Sequence, residues 1–436
     1  MTPATRESAA ASRAEAAPGI PERVRALLPK IAAYAPETER ERRIAAPLVA
    51  AMLEAGLFRM LLPRPFNGFE TDPLTFTAAI EEIAKADAST AWSLCQTAVC
   101  AMVAAYLPPE TAMEIFGRDP KAVLAWGPGP NGRAVATRGG YRVTGNFAFA
   151  SGGRHATWLG AHVPVYEADG SQRRTPAGAP VVRTVLFPAA AAPMKDIWHV
   201  VGLRGTGSDA FDVSDLFVPE THALGRDDPA DRRYSGPLYA LPTNSLYACG
   251  FASLALGVAR ALLDAFVALA VEKTPRGYKH TLRNSAVTQT EIAETEAKLR
   301  AARMYLRGTL GEVWHSVERT NSLSIEQRMA MRLAASQAIK EATGVADFAY
   351  HAAGATAIFE RNPFERRFRD MHAIAQQLQG RRSHFETGGT YLLDVEFDQA
   401  CLSSMCRLSR IGTCSRFIGL VAFSAPNRRP LRRKML

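Results

Sequence analysis

Cysteine is scarce in this chain of 436 residues, and its six cysteines form no Cys-x-x-Cys pair. A thiol-based zinc site or a disulfide framework would need closely spaced cysteines or a small secreted chain, so neither is expected. The nine histidines are likewise scattered, without the spacing of metal ligands. The sequence therefore predicts no metal centre.

Common phosphate-binding and hydrolase signatures are also missing. The sequence has no G-K-[ST] phosphate loop, no G-x-S-x-G nucleophile elbow and no H-E-x-x-H pair, which argues against the corresponding enzyme classes. One G-x-G-x-x-G string occurs at 127–132, but prolines fill two of its variable positions, and a turn and a strand are predicted to follow it. This string predicts a Gly/Pro-rich loop and not a dinucleotide site.

Long uninterrupted apolar runs are absent as well. The most apolar stretch, 245–271, contains Arg260 and Asp264, so it predicts a buried helix and not a membrane span. The N-terminal segment mixes alanine with charged residues and lacks the apolar centre of a secretory signal. We therefore expect a cytoplasmic protein without a membrane segment, preceded by a disordered lead at residues 1–20.

Acidic residues are missing from the C-terminal end. The formal net charge is +10, and the residues after Asp398 contribute eight arginines and lysines and no acid, which leaves +2 for the rest of the chain. A nearly neutral body gives no support to a nucleic-acid partner. Residues 396–436 are expected to form a basic tail, disordered or non-homologous, that is dispensable for catalysis.

The chain does contain segments of clearly different periodicity. Apolar residues recur at helical spacing over 21–120, short apolar runs broken by turn residues fill 121–226, and helical periodicity returns over 239–395. This order predicts an α+β multidomain fold. The expected parts are an N-terminal helical domain, a middle antiparallel β domain and a C-terminal helical bundle.

Several longer motifs follow one another in a fixed order. They are AWGPGP at 125–130, NFAFASGGRHATWLGAHV at 146–163, IWHVVGLRGTGSDAFDVSDLFVPE at 197–220 and AAGATAIFERNPFERRFRDMHAIAQQLQG at 352–380. In these motifs the chain resembles the acyl-CoA dehydrogenase superfamily, over roughly residues 22–394. The FASG string, followed by a tryptophan before GLRGTGS, is similar to the branch of two-component flavin-dependent monooxygenases.

The resemblance implies a cofactor, partners and an activity. The cofactor is a flavin, FMN or FAD, which a separate flavin reductase supplies in its reduced form. With O2, the enzyme would hydroxylate an aromatic or other electron-rich small molecule. The superfamily buries its long C-terminal helices in a four-fold helical centre, so the resemblance also implies a homotetramer.

A flavin pocket needs aromatic or apolar walls and hydrogen-bond donors near the edge of the isoalloxazine ring. The quoted motifs contain such residues, and the candidate cofactor-binding residues are Trp126, Ala150, Ser151, Trp198, Arg204, Thr206, Ser208 and Gln379. Each has a purely structural alternative, because tryptophans also fill cores and interfaces and serines also form turns.

The acid and base residues of the superfamily are absent from their usual places. Dehydrogenases often carry a glutamate base shortly after an Arg-Asp motif, where this chain has the amide side chains of Gln376, Gln377 and Gln379, which cannot accept a proton. The monooxygenases often carry one histidine there and another after an Ala-Trp pair, where this chain offers Gln377 and Cys100. The nearest imidazoles are those of His155, His199 and His372. The candidate catalytic residues are Ser151, Cys100, Gln377 and His372.

Two alternatives stay open on the sequence. An acyl-CoA dehydrogenase would need a glutamate on an earlier helix. A flavin-binding homologue without activity is permitted by the missing acid and base residues, and is opposed by the intact FASG and GLRGTGS strings. Turnover of reduced flavin with oxygen separates the inactive homologue from both enzymes.

Overall fold

The computed structural model describes residues 18–176 and 178–395. Most of the predicted lead and the whole basic tail, 396–436, lie outside the described residues. The first helix begins at Ile20, with proline at the next position, where its missing N–H leaves no hydrogen bond unmade.

The N-terminal part is helical. Its helices are α1 (Ile20–Glu41), α2 (Ala46–Glu54), α3 (Pro73–Ala86), α4 (Ala88–Cys100) and α5 (Pro109–Ala112). Asp72 caps α3 by accepting from the Thr75 amide at 2.9 Å, and Asp87 caps α4 by accepting from the Thr90 amide at 2.8 Å. Asp87 both ends α3 and starts α4, so this one residue fixes the angle at which α4 enters the core.

The middle part is one sheet. Its strands are β1 (Leu124–Gly127), β2 (Arg133–Thr137), β3 (Gly140–Phe147), β4 (Trp158–Tyr166), β5 (Val182–Pro188), β6 (Met194–Lys195), β7 (Ala210–Pro219) and β8 (Ala223–Leu224). They lie in the order β6-β7-β3-β2-β4-β5-β8, with β1 paired to β4.

Most strand pairs are antiparallel, as predicted, but β4 runs parallel to both β1 and β2. The reason is the loop 148–157, which carries the chain from the end of β3 across the β2–β3 hairpin before β4 begins. This crossing loop contains the FASG string. It therefore lies at an end of the sheet, where it can meet the helices.

The C-terminal part is again helical. Its helices are α6 (Thr243–Glu272), α7 (Ala286–Thr320), α8 (Ile325–Ala352), α9 (Glu365–Ala375) and α10 (Ser383–Leu392). A capping box between Ser324 and Gln327 starts α8. Helix α6 packs against α8 on one side and α3 on the other, so most of its residues are buried.

Two stretches are long and apolar enough to cross a membrane by length and composition alone, Ala88–Ala105 and Thr243–Glu272. Their most apolar windows are 89% and 56% buried inside the protein. Central helices of a protein core pass the same test, so these stretches are weak evidence for a membrane span.

The hydrophobic residues form two cores. One core is shared by the N-terminal and C-terminal helices, and the other lies within the sheet. The predicted fold class, helices followed by a sheet followed by helices, is confirmed. The candidate site lies where the loops of the sheet meet α4, α6 and α9.

Candidate active site

A chain of hydroxyl groups joins helix α4 to two loops of the sheet. The Trp92 indole nitrogen donates to Ser151 Oγ at 2.9 Å, Ser151 Oγ lies 2.6 Å from Ser208 Oγ, and Ser208 Oγ lies 2.7 Å from Thr206 Oγ1. Thr206 then donates to the Leu203 carbonyl at 2.9 Å. An indole can only donate and a carbonyl can only accept, so every proton points from Trp92 towards Leu203. This hydroxyl chain therefore directs the Ser151 proton to Ser208.

Two aromatic residues lie beside the hydroxyl chain. The Trp198 indole nitrogen donates to the same Leu203 carbonyl at 3.0 Å, and the Asp209 carboxylate fixes the Trp198 backbone amide at 3.0 Å. The Phe149 ring meets the Trp198 ring edge-on, with 5.8 Å between centroids, and Phe149 is 53% exposed. Phe149 also adopts a φ of 57°, which is uncommon for a bulky residue. The FASG loop thus presents an aromatic ring at the surface in a conformation that the surrounding structure must maintain.

A second set of rings forms an aromatic wall between α4 and α6. Trp92 stacks on Phe251 with 4.0 Å between ring centroids, and Phe251 stacks on Tyr247 with 5.7 Å. The Tyr247 hydroxyl lies 3.0 Å from Gln96 Nε2 and 3.3 Å from Cys100 Sγ. The wall therefore leads from the hydroxyl chain at Trp92 to a small polar cluster at Cys100.

Burial determines the protonation state of that cluster. It raises the pKa of the Cys100 thiol to about 12, against weaker lowering effects of Tyr247 and Arg226, so the thiol is protonated at neutral pH. Burial also raises the pKa of Tyr247 well above its ordinary value. Neither group can serve as a base near pH 7.

The Arg226 guanidinium lies over the Trp126 ring, 5.4 Å from its centroid, and 3.1 Å from His162 Nε2. The Trp126 ring is 4% exposed and meets the His162 ring edge-on at 4.9 Å. Burial, helped by Arg226, lowers the pKa of His162 well below its ordinary value, and burial lowers the pKa of His155 to about 4. Both imidazoles are therefore uncharged at neutral pH.

The glutamines after the Arg-Asp motif differ in how their amides are satisfied. Gln379 is 4% exposed, and it donates to Asn244 Oδ1 at 2.7 Å and accepts from the Arg332 guanidinium. Gln377 accepts from the Gln379 backbone amide at 2.8 Å. Within the described part of the chain, however, the buried Gln377 Nε2 has no hydrogen-bond partner. An unpaired buried donor costs about 1–3 kcal/mol, so this atom fits an acceptor atom of a ligand.

Some candidate residues lie apart from this arrangement. The His372 Nε2 lies 2.9 Å from Asp347 Oδ1, so its imidazole is engaged between α9 and α8. Ala150 is fully buried in the core of the sheet. The nearest carboxylate to Arg204 is Glu39, with 3.7 Å between Nε and Oε1. The catalytic role of His372 and the ligand-binding roles of Ala150 and Arg204 stay predictions.

Sequence reasoning named Cys100, but it missed Trp92, Gln96, Tyr247 and Phe251, which the structure brings to the site. Trp92, Gln96 and Cys100 recur every four residues on α4, and Tyr247 and Phe251 do so on α6, so each set shares one helix face. Polar and aromatic residues at that spacing on otherwise apolar helices were a usable signal.

Comparison with known proteins identifies the family. Residues 20–112 match the acyl-CoA dehydrogenase N-terminal domain, and residues 249–380 match the acyl-CoA dehydrogenase C-terminal domain. Together these matches cover more than half of the chain.

The chain belongs to the acyl-CoA dehydrogenase family.

Within the acyl-CoA dehydrogenase family, its similarity is to monooxygenases. The chain is 31% identical to indole-3-acetate monooxygenase of Acinetobacter baumannii, over 79% of this chain and 86% of the relative. It is 29% identical to the flavin-dependent monooxygenase oxygenase subunit HsaA of Rhodococcus jostii, over 81% and 92%. The solved structure of XiaF from Streptomyces sp. with FADH2 and glycerol superposes with a TM-score of 0.80 at 26% identity, covering 86% and 95% of the two chains. These similarities confirm the resemblance that the sequence predicts.

The described residues fit a flavin. An isoalloxazine ring is flat, apolar and edged with acceptors, and the partly exposed rings of Phe149 and Trp198 offer a wall for such a ring. Ser151 can donate to a flavin only by turning its hydroxyl away from Ser208.

Proposed function

We propose that this protein is the oxygenase component of a two-component flavin-dependent monooxygenase that hydroxylates an aromatic small molecule with O2. The observation that carries the proposal is the state of Gln377. Dehydrogenases of the family place a carboxylate base near this position, whereas here a buried amide leaves its nitrogen free to donate. The similarity to named monooxygenases supports the same conclusion.

The side chains around the site have separate roles in this proposal. A bound reduced flavin would supply the electrons and the oxygen-activating chemistry. Phe149 and Trp198 would hold its ring, and the hydroxyl chain would keep the loop of Ser151 in place. Apolar walls around the reacting atoms would exclude water, which would favour oxygen transfer to substrate over release of hydrogen peroxide.

The aromatic wall indicates the substrate class. Trp92, Phe251 and Tyr247 stack in sequence, so they favour a flat aromatic ring packed beside them. The neutral Cys100 and Tyr247 at the end of the wall can hydrogen-bond one polar group of that ring but cannot ionise it at neutral pH. We therefore propose an electron-rich aromatic substrate, such as an indole or a phenol, that Gln377 orients by donating to an oxygen or nitrogen atom.

The test combines product analysis with a check on dehydrogenase activity. Anaerobic protein with reduced FMN or FAD is mixed with O2 and either indole-3-acetate or a panel of phenols, and hydroxylated product and hydrogen peroxide are measured. We expect product in proportion to the flavin oxidised. In a parallel anaerobic assay, acyl-CoA should not reduce bound flavin. Rapid reduction by acyl-CoA, with no hydroxylated product, would overturn the proposal in favour of a dehydrogenase. Flavin binding with neither reaction would identify an inactive homologue.

The finer features of the system are part of the same proposal. A separate reductase would deliver the flavin, and the protein would act in the cytoplasm as a homotetramer. Exposed apolar side chains on α6 and α7 support the tetramer, among them Val271, Met304 and Tyr305. A monomeric mass by light scattering at micromolar concentration would contradict the tetramer.

Truncation after residue 395 should leave flavin turnover intact if the basic tail is dispensable.

A further inference from the structure

Helix α9 is joined to the turn at residues 201–203 at three points. The Asp370 carboxylate, 2% exposed, accepts from the Leu203 backbone amide at 2.6 Å. The Arg369 guanidinium donates to the Val201 carbonyl. Gly202 lies so close to the helix that a Cβ there would sit 2.1 Å from the Arg369 carbonyl oxygen. The turn is thus held against α9 by both residues of the Arg-Asp motif.

Leu203 connects this contact to the candidate active site. Its φ of 53° lies in the left-handed region, which a residue with a Cβ avoids unless its surroundings hold it there. Asp370 holds the Leu203 amide, while the Leu203 carbonyl accepts from both Trp198 and Thr206. A single backbone unit therefore links α9 to the Trp198 ring and to the end of the hydroxyl chain.

The position of Asp370 is costly, which argues against a role in stability alone. Burial, together with the carboxylates of Asp87 and Glu39, raises the pKa of Asp370 to about 7, against the opposing effects of the Leu203 amide and Arg366. A buried carboxylate near other acids loses its hydration at a large cost in free energy, which only hydrogen bonds to it can offset. What the carboxylate supplies, and an apolar side chain does not, is an acceptor for the Leu203 amide.

We propose that Asp370 is a positioning residue of the candidate active site. By fixing Leu203 it sets the orientation of the Trp198 ring and of the hydroxyl chain that ends at Leu203. The consequence for flavin binding rests on the proposed function. The consequence for the order of residues 197–206 does not, because it concerns this chain alone.

The test compares Asp370→Ala with Asp370→Asn. Alanine removes the acceptor, whereas the asparagine carbonyl still accepts from the Leu203 amide. Asp227→Ala is the matched control, because it removes a carboxylate that accepts from the Thr243 amide at 2.9 Å and from its hydroxyl at 2.8 Å, at the start of α6. Hydrogen exchange of residues 197–206 is measured without flavin. Reduced FMN and FAD are then titrated under nitrogen, and the fraction of oxidised flavin that yields hydroxylated product is determined.

We expect Asp370→Ala to speed exchange in residues 197–206 by at least about tenfold and to weaken reduced-flavin binding by about ten- to a hundredfold. The fraction of oxidised flavin that yields hydroxylated product should fall together with the flavin affinity. Asp370→Asn should restore exchange, affinity and product fraction to within about threefold of the wild type. Asp227→Ala should leave all three measurements unchanged. If Asp370→Ala only disturbed the packing of the protein, Asp370→Asn would not restore exchange, flavin affinity and product fraction together.

Unchanged exchange in a folded Asp370→Ala protein would overturn the proposal, and so would faster exchange with undiminished flavin affinity. If Asp370→Ala does not fold, Gly202→Ala breaks the same contact from the side of the turn and should give the same three changes. A wild-type protein that binds flavin but forms no product would contradict the proposed function. It would not affect the exchange and affinity results on Asp370.

Discussion

The two sides of the candidate site satisfy their polar groups in different ways. Around Ser151 every hydroxyl of the hydroxyl chain both accepts and donates a hydrogen bond, and the hydroxyl chain ends at the Leu203 carbonyl. Around Gln377 and Cys100, by contrast, the structure leaves a buried amide nitrogen without a partner in the described residues and keeps a thiol neutral. The first side is built to be rigid before any ligand arrives. The second leaves a hydrogen bond for the ligand to complete.

This difference matches where the chain keeps the pattern of its family and where it departs from it. The FASG and GLRGTGS strings supply the closed side, and the departures, Gln377 and Cys100, lie on the open side. We infer that flavin binding depends mainly on the closed side and substrate choice on the open side. Substitutions on the two sides should therefore have separable effects.

The largest effect is expected from Trp198→Ala. It removes the ring that faces Phe149 and the donor to the Leu203 carbonyl, so affinity for reduced flavin should fall about a hundredfold. Anaerobic titration measures the affinity. Trp314→Ala, which removes a partly buried tryptophan from α7, is the control and should bind flavin normally. Equal affinities in the two variants would place the flavin elsewhere.

Ser151→Ala should have the next largest effect. It leaves the Trp92 indole and the Ser208 hydroxyl each short of one partner, which should lower the free energy of unfolding by about 1–3 kcal/mol and weaken flavin binding about tenfold. Denaturant unfolding and flavin titration measure the two effects. Ser93→Ala is the matched control, because the buried Ser93 hydroxyl has no partner in the described structure and its loss should cost little. If both variants behave alike, the hydroxyl chain contributes nothing specific.

On the open side, Gln377→Leu should change catalysis and spare flavin affinity. Loss of the free amide donor should reduce the fraction of oxidised flavin that yields product about three- to tenfold, because the substrate is less well oriented. Product and hydrogen peroxide are quantified together. Gln376→Leu, a neighbouring exposed position, is the control. A loss of flavin affinity in Gln377→Leu, equal to that in Ser151→Ala, would erase the distinction between the two sides.

Sequence could predict single residues of the candidate site better than the contacts between them, for a physical reason. Trp198, Thr206 and Ser208 lie within one short string, and Ser151 lies in another, so local motifs carry them. The contact between Asp370 and Leu203 joins residues 167 positions apart, and no local pattern encodes it. The unpaired nitrogen of Gln377 is a property of its surroundings and not of its residue type. The fold class followed from periodicity, whereas the parallel pairing of β4 depended on the course of a loop.

The smallest effect is expected from Cys100→Ser. A histidine at this position would give the activity a pH dependence near pH 6.5. The buried thiol, with its pKa raised to about 12, keeps its proton in the folded protein, so the rate of product formation should not depend on the ionisation of this group between pH 6 and 8.5. The unfolded chain loses the same proton near the ordinary thiol value of about 8.5. The folded state therefore binds the proton more tightly, and this contribution to stability is fully present below that pH and is lost as pH rises towards the folded value.

Because serine keeps a small neutral donor beside Tyr247, the rate of product formation in Cys100→Ser should differ from that of the wild type by less than about threefold. A pH profile of product formation for the wild type and for Cys100→Ser checks this. A break near neutral pH that is present in the wild type and absent from the variant would show that Cys100 ionises during turnover, and the open side would then contain a base after all.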